Sequence, residues 1–174
     1  MNRMMVYQID HRRHDDETGE NTKNCGFFSS KEGCSQAIAQ LIKQPGFCDY
    51  TNDFNILEFP LDIIVSPDRF LAKGNVMLGD AEVDSEKLHY MWHAQADDEY
   101  LDFAVIIGVF SSEDQCRRAI DLLADEPEFR DHRAGFGFEQ VSLGWVGWSE
   151  GFFSEPESVE GAMDLPWQLL KQNT

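Results

Sequence analysis

The chain has 174 residues and carries 32 Asp+Glu against 14 Lys+Arg, a formal net charge of −18 at pH 7. Such a field repels polyphosphate backbones and anionic lipid, which argues against nucleic acid and membrane surfaces as partners and favours a cationic one. A hydrophobic fraction of 42% with 13 Phe and 4 Trp supplies a core, so the acidity does not signal a disordered chain.

Met4–Ile9 is rich in β-formers and predicts a strand. His11–Asn24 is polar, contains Gly19 and reads as a hairpin loop that returns to a second strand at Cys25–Phe28. Ser29 followed by Glu32 has the spacing of a capping box, which places a helix start there. Cys34, Ala37, Ile38, Leu41 and Ile42 then fall on one helical face, and Pro45 ends the helix. Phe47 follows as an aromatic plug and Asp49 as a turn residue. Phe54, Ile56 and Phe59 alternate as a half-buried strand should.

The same text then returns. Adding 82 carries Gly26–Leu61 onto Gly108–Leu143 without a gap, and matches Phe28, Cys34, Pro45 and Phe47 to Phe110, Cys116, Pro127 and Phe129. The register extends backwards, because His11 matches His93 and Asp15-Asp16-Glu17 matches Asp97-Asp98-Glu99. A fixed-period repeat of this kind marks a duplicated structural unit. Each copy alone buries little surface, so the two are expected to share a core or dock tightly.

Between the copies, Ile63-Ile64-Val65 continues a strand, Ser66-Pro67-Asp68 reads as a turn, Arg69–Ala72 as a short helix and Gly79–Glu86 as an acidic loop. In the second copy Leu88–His93 and Tyr100–Phe110 are the hairpin strands, joined by the acidic turn Gln95–Glu99. Ser111 with Asp114 repeats the cap. Cys116, Ala119, Ile120 and Leu123 form the apolar helix face. Phe136, Phe138, Val141 and Leu143 belong to the last strand. Ser154–Met163 is acidic, and Pro166–Leu170 reads as a terminal helical turn.

The expected class is therefore α+β: two β-β-α-β repeats with antiparallel sheets, one helix per repeat packed on a face. The expected boundaries are 1–62 for the first repeat, 63–87 for a linker, 88–153 for the second repeat and 154–174 for an acidic tail.

Gly108-Val109-Phe110-Ser111-Ser112, Ala119-Ile120, Pro127-Glu128-Phe129-Arg130-Asp131 and the closing Trp148-Ser149-Glu150-Gly151-Phe152 resemble a family of short bacterial domains. Its members stand as single copies ending in Trp-x-Glu-Gly-Phe. The second copy carries the resemblance from about Leu88 to Phe152, and the first lacks the closing motif. The resemblance implies a fold and no activity. In general character, small, acidic and bacterial, the chain is also similar to immunity proteins of contact-dependent and other polymorphic toxin systems.

Residues able to carry chemistry are few. His11, His14 and Asp15-Asp16-Glu17 cluster in the first hairpin, and His93 with Asp97-Asp98-Glu99 in the second. These are ligand types for a metal ion, but short acidic loops are usually solvated turns, and no metal or other cofactor is expected. Their recurrence suggests paired acidic knobs turned to a basic partner. Trp145, Trp148, Glu150, Phe152 and Phe153 form an aromatic-acidic strip. It fits either a core element under the second sheet or an anchor set at an interface.

No Gly-x-Ser-x-Gly, Walker loop, dinucleotide fingerprint or Cys/His pair occurs. Ser29-Ser30 and Ser111-Ser112 are explained by capping. Cys25, Cys34, Cys48 and Cys116 contain no Cys-x-x-Cys, and Cys34 and Cys116 read as buried thiols without a basic neighbour. Arg117-Arg118 is too short a run to hold nucleic acid. Met1-Asn2-Arg3 leads directly into strand-like text, and no stretch is apolar enough for a bilayer, so a reducing cytosolic compartment is expected.

The functional expectation is a non-enzymatic immunity protein that binds and neutralises a cognate basic toxin domain, a nuclease by the charge argument. Asp15, Asp16, Glu17, Asp97, Asp98, Glu99, Trp145, Trp148, Glu150 and Phe152 are its expected contact residues. A small-ligand or regulatory module and an enzyme with an unfamiliar site around His93 are the alternatives.

Overall fold

The computed structural model describes residues 4–15, 19–65, 76–78, 87–97, 100–147 and 151. In chain order the elements are β1 (Met5–Asp15), β2 (Gly19–Phe28), α1 (Lys31–Leu41), β3 (Phe54–Pro60), β4 (Ile63–Ile64), β5 (Val76–Met77), β6 (Leu88–Asp97), β7 (Tyr100–Phe110), α2 (Glu113–Leu123), β8 (Phe136–Val141) and β9 (Trp145–Val146). Helix and antiparallel sheet are mixed, the α+β class. The short helix at Arg69–Ala72, the loop at Gly79–Glu86, and the tail with its helical turn lie outside the described residues.

The hairpins are longer than the sequence suggests. His11–Asp15 and Gly19–Asn24 are paired strand, not loop, with Asp10↔Asn24 through Asp15↔Gly19 in register. Their polar composition hides the strands here; the register shifts where Ile9↔Gly26 gives way to Asp10↔Asn24, with Cys25 of β2 as the extra residue of the bulge. The second hairpin has its bulge at the equivalent place, between Met91 and Trp92.

The helices start one residue later than expected. Ser30, extended at φ −150°, ψ 156°, accepts from the Gly33 N–H, and Ser112 accepts from the Gln115 N–H. A serine pair makes the cap ambiguous in sequence, because either hydroxyl has a suitable acid within a turn. Ser29 is exposed and Ser111 is buried.

The chain divides into two compact units that are not continuous in sequence. One comprises Met5–Glu58 and Leu143–Thr174, here the first unit. The other comprises Met1–Met4 and Phe59–Ser142, here the second unit. This differs from boundaries at 62/63 and 87/88, for a reason visible in the strand order.

In the first unit the sheet runs β3-β1-β2-β9. Its outermost strand, β9, lies within the stretch 88–153 expected to form the second repeat, yet it pairs with β2. Gly144 N–H donates to Phe27 O (2.7 Å) and Gly147 N–H to Cys25 O (3.1 Å), with Gly26 opposite Val146. Helix α1 covers one face, where Cys34, Ala37 and Leu41 meet Ile9, Cys25, Phe28, Phe47 and the β9 residue Val146.

In the second unit the sheet runs β7-β6-β8, and β4, from the chain beyond the first copy, lies along β7. Asp62 N–H donates to Val109 O (3.0 Å) and Val65 N–H to Ile107 O (2.8 Å). Both bonds reproduce, at a spacing of 82, those that hold β9. Helix α2 covers one face, where Cys116, Ala119 and Leu123 meet Met91, Val105, Ile107, Phe110, Phe129 and the β4 residue Ile64. Ile64 and Val146 are equivalent residues, and each contributes about 1.5–3 kcal/mol of burial to a unit other than that of the helix before it.

Two glycines make this strand addition possible. A Cβ on Gly108 would lie 2.6 Å from Ile63 O, and one on Gly26 would overlap Trp145 O. Only a residue without a side chain lets the added strand approach this closely.

Candidate functional site

The histidines matched by the repeat are core residues, not members of an acidic metal-type loop. His11 is 0% and His93 1% exposed. Nε2 of His11 donates to Tyr50 O (2.9 Å), and Nε2 of His93 donates to His132 O (2.8 Å). A carbonyl only accepts, so Nε2 is the protonated ring nitrogen in each. The rings pack on Phe47 and Phe54 at 4.9 and 4.5 Å, and on Phe129 and Phe136 at 4.8 and 4.5 Å. Each histidine therefore fastens the irregular chain after a helix to the central strand. A ring held this way inside an aromatic box is a structural clamp, and offers a substrate no access.

The acidic knobs are only partly in view. Asp15 and Asp97 end β1 and β6, opposite Gly19 and Tyr100. Asp16, Glu17, Asp98, Glu99, Trp148, Glu150 and Phe152 lie outside the described residues. Trp145 lies on β9 and is 53% exposed, so it is not the core element that one expectation made it. Among the described residues no group of three His, Cys, Asp or Glu is placed to hold a metal ion.

One group of exposed acids among the described residues lies on α2 and the turn after it. Glu113, Asp114, Asp121, Asp125 and Glu128 are exposed there, with Leu122 at 52% exposure among them. Arg117 pairs with Glu113 one turn away, and Arg133 with Asp125. On α1 the corresponding solvent face carries Lys31, Glu32, Gln36 and Gln40, and Lys31 reaches Glu58 at 2.5 Å. The surface of α2 and the turn after it thus exposes more acids than that of α1.

Two buried polar groupings were not legible in the sequence. On β1, Gln8 Nε2 donates to Asp10 Oδ1 (2.6 Å) and Arg12 Nη2 to Asp10 Oδ2 (3.3 Å). Asp10 is almost wholly buried, and burial raises its carboxyl above the usual carboxylate range against the opposing pull of Gln8 and Arg12. The matching residues of β6 are Tyr90, Trp92 and Ala94, so this grouping belongs to one copy only.

The second grouping joins Asp62 to Ser111. Ser111 N–H donates to Asp62 Oδ1 (2.8 Å), and its hydroxyl lies 2.9 and 2.8 Å from Oδ1 and Oδ2. Asp62 has φ 57°, in the left-handed region, where its equivalent is Gly144 at φ 73°. Asp tolerates this backbone better than most residues, and here its carboxylate ties β4 to the start of α2. Ser111 is 5% exposed, so its hydroxyl, held by the Asp62 carboxylate, is closed off from solvent.

The thiols are equally inert. Burial pushes Cys25, Cys34 and Cys116 up to about 12, with Asp10 adding to the effect at Cys25 and Asp62 and Glu113 at Cys116. Cys48 is exposed.

No family model, curated protein or solved structure matches the chain. No described helix is long and apolar enough to cross a membrane.

Proposed function

We propose that the chain is a cytosolic immunity protein, non-enzymatic, that binds and neutralises a cognate basic toxin domain, most simply a nuclease. It is built from two copies of one β-β-α-β unit, each completed by a strand that follows the other copy. The observation that carries the proposal is the net charge of −18 on a folded chain. A nuclease surface is basic because it holds phosphates. An acidic partner associates with it fast and excludes substrate without chemistry of its own. The exposed acids of α2 and the exposed Trp145 support this reading, since acids steer and an aromatic anchors. The inert thiols, clamped histidines and carboxylate-bound Ser111 support a role without covalent steps.

The test is whether a neighbouring reading frame encodes a secreted protein with a basic C-terminal domain, and whether the chain associates with that domain. Asp97→Asn, Asp98→Asn and Glu99→Gln together should slow association about tenfold at low salt, and the loss should fade as salt rises. Co-purification failing with that domain, or an unchanged rate in the triple variant, would remove the proposal or those residues from it.

A further inference from the structure

We draw no further inference here: the strongest candidate, the outward face of α2 where Leu122 stands 52% exposed among Glu113, Asp114, Asp121 and Asp125, rests on an acidic cluster around a single apolar side chain, and nothing in the structure shows what covers it.

Discussion

Removing the Asp62 carboxylate isolates what holds β4 in place. Asp62 and Ser111 are both 5% exposed, so water does not replace what is lost. The Ser111 hydroxyl has one proton, shared between Oδ1 and Oδ2, so the three short contacts amount to two hydrogen bonds. Bonds to a charged acceptor contribute about 1.5–3 kcal/mol each, and the two donors left behind are buried. Asp62→Ala removes the carboxylate and keeps the Cβ that Asp already carries, so it should cost about 3 kcal/mol. Asp62→Gly removes that Cβ as well and relieves the strain of a side chain at φ 57°, so it should cost about 1 kcal/mol less than Asp62→Ala. Asp62→Asn keeps an acceptor and tolerates the backbone, so a loss of about 1 kcal/mol is expected. The assay is urea unfolding followed by circular dichroism, with slopes compared across the series. A loss below about 0.5 kcal/mol for Asp62→Gly, the scatter typical of surface changes, would refute the claim that this carboxylate secures the strand. An identical loss for Gly and Ala would refute the backbone part of it.

Three further outcomes follow from the same structure. Ser30→Ala and Ser112→Ala should each cost about 1 kcal/mol and speed amide exchange at Gly33 and Gln115, whereas Ser29→Ala should leave both unchanged. Burial raises the Asp10 pKa in the folded state, so its contribution is most favourable below the ordinary aspartate value of 3.8 and declines as pH rises through the folded value. Urea midpoints of Asp10→Asn should therefore gain on wild type as pH rises from 3 to 7, and parallel curves would refute the burial account. An aromatic disulfide reagent at neutral pH should label Cys48 rapidly and Cys25, Cys34 and Cys116 only on unfolding; a second fast thiol would contradict their burial.

Local chemistry and repetition settled a good deal in advance. Helix faces at Cys34-Ala37-Leu41 and Cys116-Ala119-Leu123, the stops at Pro45 and Pro127, and the plugs at Phe47 and Phe129 all follow from periodicity and residue type, which act over a few residues. The repeat also tells which residues are equivalent, and the clamps of His11 and His93 obey it. What those histidines do was out of reach. A polar residue's role depends on whether Tyr50 O or His132 O waits nearby, and both carbonyls stand 39 residues along the chain. The destination of β4 and β9 was likewise decided only in three dimensions. Two edges with the same glycine and the same carbonyls present equivalent partners to either strand, and a sequence cannot say which one its own chain will reach. The exposure of Trp145 and the bond from Ser111 to Asp62 descend from that long-range choice, because each depends on where the added strand comes to rest.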